Sequence, residues 1–171
     1  MKILIIGLGS IARKHIAALD KIGESFSYFA LRSSDNSPAV DGVQNIYAWS
    51  YVPEDINFAI IANPTDQHTQ AIEECINRNI PLFIEKPLAH KLDGLSRLAE
   101  KINEKGIRSY VACNLRFLPV LLFLKNNLGN RRINEVNIYC GSSLPAWRPG
   151  TDYTTSYSAD EARGGGVHLD L

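Results

Sequence analysis

The stretch PLFIEKP, residues 81–87, runs four apolar residues into a carboxylate, an amine and a proline. An apolar run of that length reads as a strand buried in a sheet. The crevice beyond the carboxyl end of such a strand is where open α/β sheets hold their ligands. A lysine placed there, Lys86, can bond a reacting hydroxyl and stabilise the alkoxide charge that develops on it. Burial would also draw its pKa toward the general-base range. Taken by themselves, Glu85 and Lys86 fit an ordinary surface turn as well.

A second group of residues points to phosphate. In IIGLGSIA, residues 5–12, Gly7, Gly9 and Ala12 fall in the G-x-G-x-x-[GA] frame. The first glycine allows a tight turn and the second lets a pyrophosphate approach the backbone. The small third residue lets helix and strand pack closely. The N–H groups of Ser10, Ile11 and Ala12 open a helix and face the phosphates. The frame follows an apolar strand and begins a βαβ unit, the context a dinucleotide site requires.

The ribose is read at the end of the second strand. Arg32 stands there, twenty residues beyond Ala12 and followed by Ser33 and Ser34, with Asp35 the nearest acid. An acid would bond a free 2′-hydroxyl, whereas an arginine with hydroxyl neighbours suits a 2′-phosphate. NADP is therefore expected ahead of NAD, although an arginine that only stacks on adenine serves either.

These groups need a scaffold that brings them to one edge. Apolar runs predict strands over 2–6, 25–31, 43–47, 58–62, 81–84 and 108–112. Helical periodicity fills the gaps over 10–22, 70–78 and 92–105, with Thr65 ahead of the second as a cap and Gly23 and Gly106 as stops. In the first helix Ile11, Ala12, Ile16, Ala17 and Leu19 form the apolar stripe. Strand and helix alternate at the pitch of βαβ units, which predicts an α/β fold with a doubly wound parallel Rossmann sheet. Beyond residue 115 the texture changes. A helix over 119–128 and a strand over 133–140 precede a loop over 141–166 rich in Ser, Pro, Thr, Gly and aromatics. The expected division is a dinucleotide-binding domain over 1–115 and a second segment of different texture over 116–171.

The composition narrows the class. Eighteen basic and eighteen acidic residues cancel, which argues against nucleic acid or an anionic membrane held by bulk charge. No apolar run is long enough for a membrane span, and the first one is cut by Gly7 and Gly9, so a cytoplasmic protein is expected. Cys75, Cys113 and Cys140 lack metal-site spacing and read as buried free thiols, and no metal is expected. His15 and His90 read as surface residues, and His68 as a local hydrogen-bonding residue near a helix start.

GLGSIARKH, IANPTDQH, IEKPLA, NLRF and the final GGGVHLDL occur in that order along the chain. Together they resemble the Gfo/Idh/MocA oxidoreductases, NAD(P)-dependent enzymes that oxidise or reduce a carbinol carbon of a sugar, cyclitol or sugar nucleotide. The resemblance implies that 116–171 is the start of an α+β substrate domain with a large, mostly antiparallel sheet, that the substrate lies between the two domains, and that the protein is a homo-oligomer. It assigns Lys86, between Glu85 and Pro87, to the active site, places Glu85 and Lys86 among the cofactor-binding residues, and marks Pro87 as a proline that often follows a cis bond. Asn63, Pro64 and His68 match the loop beside the cofactor. Asn114 and Arg116 match the loop that borders nicotinamide and substrate. Asp170 matches an aspartate that precedes the family's acid/base histidine. That histidine falls beyond Leu171, and His168 does not match its position. The chain is therefore expected to be an incomplete form, itself inactive. In the loop before Asp170, Trp147 and Tyr153 offer flat faces for a sugar ring and Arg148 a bidentate clamp, with Asp152 and Tyr157 nearby. This pattern resembles members associated with cell-surface polysaccharide synthesis. The alternative reading is a non-catalytic NADP-binding module or redox sensor.

Overall fold

The computed structural model describes residues 1–139, 141, 143–147, 150 and 152–166, with the Trp147 side chain left out. The chain divides into two compact units, 1–111 and 112–171.

Six strands form the first unit's sheet: β1 (Lys2–Ile6), β2 (Ser27–Leu31), β3 (Val43–Ile46), β4 (Phe58–Ile61), β5 (Leu82–Ile84) and β6 (Ser109–Val111). All pairs are parallel and the order is β3-β2-β1-β4-β5-β6, so the direction of winding reverses between β1 and β4. Crevices at such a reversal are where these sheets bind nucleotides.

The pleat explains why β4, β5 and residues 3–6 of β1 are apolar at every position, whereas the edge strands β3 and β6 carry Gln44, Asn45 and Ser109. Successive side chains point to opposite faces, and both faces are covered. Leu4 and Ile6 of β1, Ala59 and Ile61 of β4 and Leu82 and Ile84 of β5 turn one way. There they meet Ala71, Ile72, Cys75 and Ile76 of α2 (His68–Asn77) and Leu98 of α3 (Leu95–Glu104). Ile3, Ile5, Tyr28, Ala30 and Ile60 turn the other way, onto Ala12, Ile16 and Leu19 of α1 (Ser10–Asp20). Ile3, Leu4 and Ile5 are wholly buried, and each such side chain contributes about 1.5–3 kcal/mol. Lys105 donates to the Ile76 carbonyl at 2.8 Å, tying the end of α2 to the residue that follows α3.

Several expectations change at their edges. The third helix begins at Leu95 rather than at residue 92, because Gly94 holds φ +77° and Leu92 projects into solvent at 87% exposure. The second helix begins earlier than expected, at His68. A 3-10 turn, Thr65–Gln67, leads into it, Gln67 occupies the cap position and no side chain bonds there. Ile11 and Ala17 are exposed on α1 instead of lying in its apolar stripe.

In the second unit α4 (Pro119–Leu128) starts on a proline at its first turn, as that position favours. Val120, Leu122 and Phe123 on it are exposed. The strand expected over 133–140 is not formed over 131–139, where Ile133, Val136 and Ile138 also face solvent. A strand needs a paired neighbour for its backbone groups, and none stands beside it among the described residues. Over its described residues the long loop is built of short turns. Asp152 Oδ1 accepts from the Thr154 hydroxyl at 2.6 Å and from Thr154 N–H at 3.0 Å to cap the turn Tyr153–Thr155, and those bonds hold the Asp152 carboxyl below its ordinary pKa. Gly165 is required by contact: a Cβ there would stand 2.6 Å from the carbonyl oxygens of Tyr157 and Ser158.

Candidate cofactor and active site

Four loops leave the carboxyl ends of neighbouring strands, and the backbone staples each to the strand beside it. Gly7 N–H donates to Leu31 O (3.3 Å), Arg32 N–H to Ile46 O (2.9 Å), Ala62 N–H to Ile6 O (2.9 Å) and Glu85 N–H to Ile61 O (2.9 Å). The residues at Gly7 to Ala12, Arg32 to Ser34, Asn63 and Pro64, and Glu85 and Lys86 are thereby brought to one edge of one sheet.

The glycines have different tasks. Gly7 holds φ +85°, and a Cβ on it would stand 2.5 Å from Asn63 Cα, backbone against backbone. Gly9 has an ordinary φ of −83°, and a Cβ there would meet nothing within 4 Å. The space above Gly9 is open, directly before α1. No side chain caps α1 and no acid stands in its first turn. Its first N–H groups and the positive end of its dipole are thus left for an anion. Ser10 and Ile11 are exposed there, and Ala12 is buried under the helix as the packing argument requires.

Arg32 follows the last residue of β2. Its guanidinium holds Asn45 Oδ1 at 3.3 Å and Pro38 O at 3.4 Å, bonds long enough to be weak. Ser34 Oγ accepts from Asn36 N–H at 3.2 Å, which folds the loop back beside it.

His68 is 1% exposed. Its Nε2 lies 2.9 Å from Asn63 O, and its Nδ1 lies 3.0 Å from Pro87 O and 3.3 Å from Leu88 O. It sits beneath two of the loops, and its neutral ring, with one N–H to donate, bonds one of them and packs against the other, so it braces the cofactor loop rather than facing a ligand. Burial pulls its ring below the ordinary value of 6.5, against the upward pull of those three carbonyls and of Glu85. The unfolded chain therefore takes up this proton at higher pH than the folded one. Stability from His68 is whole above about pH 6.5 and drains away as pH falls through the folded value below it. Thermal melts across the acid range should fall with pH in that window, and His68→Gln should flatten that part of the slope.

At the Glu85 and Lys86 turn the peptide bond from Lys86 to Pro87 is cis, as the resemblance implies, but Lys86 is exposed rather than buried. His15, expected on the surface, is half-buried with its Nε2 2.5 Å from Glu85 Oε1. The available signal was its helical spacing: His15 falls three residues after Ala12 and four before Leu19, on the border of the buried stripe. His90 is likewise half-buried, and its Nδ1 has no hydrogen-bond partner among the described residues. Of the thiols, Cys75 is buried, which pushes it up to about 12, but Cys113 is exposed. Cys140 lies outside the described residues.

The remaining predicted residues belong to the second unit. Asn114 and Arg116 stand in the turn Asn114–Phe117 and are exposed, as is Tyr153. Trp147 ends the short helix Leu144–Trp147. Arg148, His168 and Asp170 lie outside the described residues. Among the described residues no cluster of His, Cys, Asp or Glu is arranged to hold a metal. None of the helices there is long and apolar enough to cross a membrane.

A parallel sheet that reverses at β1, with a glycine turn and an uncapped helix at the reversal, is a dinucleotide-binding arrangement. The sequence model described as "Oxidoreductase family, NAD-binding Rossmann fold", that of the GFO_IDH_MocA family, matches residues 1–113. The chain belongs to the Gfo/Idh/MocA oxidoreductase family. It is 24% identical over 174 residues to the uncharacterized oxidoreductase YrbE of Bacillus subtilis, covering 98% of this chain and 49% of that one. It is 26% identical over 117 residues to inositol 2-dehydrogenase of Rhizobium meliloti, covering 68% and 33%. Among solved structures it is similar to the WlbA (WbpB) dehydrogenase of Thermus thermophilus in complex with NAD and UDP-GlcNAcA. There the TM-score is 0.76 at 25% identity, over 99% of this chain and 59% of that chain. The chain thus spans half or less of the length of these two curated Gfo/Idh/MocA relatives.

Proposed function

We propose that this chain provides the cofactor site and the proton-handling lysine for hydride transfer at a carbinol or carbonyl carbon of a sugar, cyclitol or sugar nucleotide. The observation that carries the reading is the convergence at one sheet edge of open space over Gly9, an uncapped α1, Arg32 and Lys86. The donor set fits a nicotinamide dinucleotide. N–H groups of Ser10, Ile11 and Ala12 suit a pyrophosphate. Arg32, Ser33 and Ser34 suit an adenosine ribose, and Asn63 Oδ1, buried beside the glycine turn without a hydrogen-bond partner among the described residues, is an acceptor awaiting a donor. When bound, the nicotinamide supplies or accepts the hydride. Lys86 Nζ takes the hydroxyl proton as the carbinol is oxidised and returns it to the oxygen in reduction.

The sugar class is supported by what the relatives' names say of them: inositol for one, a complex with UDP-GlcNAcA for another. Asn114 and Arg116 are assigned to the nicotinamide and substrate, Trp147, Arg148 and Tyr153 to the sugar, and Asp170 to the catalytic group. The setting is a cytoplasmic enzyme of sugar metabolism, with products used in cell-surface polysaccharide. The exposed apolar side of α4 supports self-association.

The test is NAD(P)H absorbance against a panel of inositols, aldoses and UDP-sugars including UDP-GlcNAcA. Turnover of one class is expected; cofactor binding with no turnover by this chain or a longer polypeptide containing it would favour a binding module instead. The NADP preference rests on Arg32. Arg32→Asp should weaken NADPH by about 1.5–3 kcal/mol, the worth of a charged hydrogen bond, and leave NADH nearly unchanged. Tighter binding of NADH than NADPH to the unaltered chain would overturn that preference.

A further inference from the structure

We propose that His15 is a positioning residue for Lys86, fastening the helix of the glycine loop to the turn that carries the lysine. The proposal rests on the reading of Lys86 as the proton-handling group.

His15 lies on α1, within two turns of Gly9. A carboxylate only accepts, so at 2.5 Å His15 Nε2–H donates to Glu85 Oε1. The two side chains are 22% and 13% exposed, which spares the bond most of the screening that weakens surface pairs. The ring is also held in place by packing. It meets Phe83 edge to face, with centroids 5.2 Å apart and planes at 77°, and Phe83 stacks on Tyr110 at 5.6 Å.

Glu85 directly precedes Lys86, and its backbone N–H is already fixed to Ile61 O. In extended chain, adjacent side chains point to opposite sides. Drawing the Glu85 carboxylate inward to α1 therefore turns Lys86 outward, and Lys86 is exposed. On the far side, Pro87 O and Leu88 O face the His68 ring. The lysine is thus held from α1 before it and from α2 after it. Without His15, Glu85 loses its tether and Lys86 its fixed direction, and misplacing a reacting group by an ångström costs on the order of 10² in rate.

Three variants separate this from mere packing. His15→Phe keeps a ring against Phe83 and removes the donor; His15→Gln keeps a donor; Lys86→Ala tests the underlying reading. With NADPH or NADP and the panel compound that turns over, His15→Phe should lower kcat by about 10- to 100-fold. KM and the NADPH Kd should stay near their unaltered values, and His15→Gln should recover most of the loss. Unchanged kcat in His15→Phe, or no recovery in His15→Gln, overturns the positioning role. Unchanged kcat in Lys86→Ala instead overturns the reading beneath it. The bond has its own signature independent of turnover: an NMR signal of the His15 Nε2 proton, shifted downfield by the carboxylate, that moves upfield in Glu85→Gln. Absence of that shift also overturns the proposal.

Discussion

Replacing Lys86 by alanine is expected to cut turnover by about 10²–10⁴, the range for removal of a general acid or base. The substitution removes the group that takes or returns the proton on the substrate oxygen. It leaves the glycine turn, the start of α1 and Arg32 untouched, so NADPH affinity should hold. The distinction matters because Lys86 sits beside the cofactor loops: His68 lies between the Pro87 and Leu88 carbonyls and Asn63 O. A variant that lost turnover and cofactor together would indicate a collapsed turn rather than a missing proton carrier. The check is kcat alongside NADPH fluorescence, in the form that turns over, whether this chain or a longer polypeptide containing it.

The two glycines of the first turn should fail in different ways. Gly7→Ala puts a Cβ at φ +85° and 2.5 Å from the Asn63 backbone. The positive φ costs about 1–3 kcal/mol and the overlap costs about as much again, a large part of a domain's whole stability. It should lower the melting temperature steeply and lose the cofactor with the fold. Gly9→Ala adds the same methyl where it meets no protein atom and where φ is ordinary. It should melt like the unaltered chain yet bind NADPH about tenfold more weakly or worse, a loss of about 1.4 kcal/mol. Differential scanning fluorimetry with and without NADPH separates the two effects. Equal affinity in Gly9→Ala would mean that the space over Gly9 is not where the pyrophosphate goes.

The sheet could be read from the sequence because a strand buried on both faces leaves no polar gap. Residues 3–6 and 58–61 are apolar in both parities, and the structure sends alternate residues to opposite helical layers. The glycine turn was legible for a related reason, since Gly7 has no substitute at its φ and contact. What escaped notice depends on partners distant in sequence. His15 and Glu85 are 70 residues apart, and α1 periodicity shows only that His15 borders the apolar stripe. The exposure of Cys113 and Lys86 depends on how the chain turns after a strand, which apolar patterning does not encode. The apolar spacing of 133–140 suits a strand, but spacing supplies no partner, and over 131–139 the backbone takes no ladder. The start of α3 was misplaced because Leu92 has the right spacing but lies ahead of Gly94, whose left-handed φ precedes the first helical turn.

The central claim is that the carboxyl edge of the sheet, at β1, β2, β4 and β5, is a nicotinamide dinucleotide site. The most direct measurement is a titration of this chain with NADPH and NADH, followed by cofactor fluorescence, with Gly9→Ala as the paired control. Saturable binding of at least one cofactor, weakened in Gly9→Ala while the melting temperature stays put, is the predicted result. No binding of either cofactor to the folded chain up to about millimolar concentration, where the binding free energy is only about −4 kcal/mol, would contradict it.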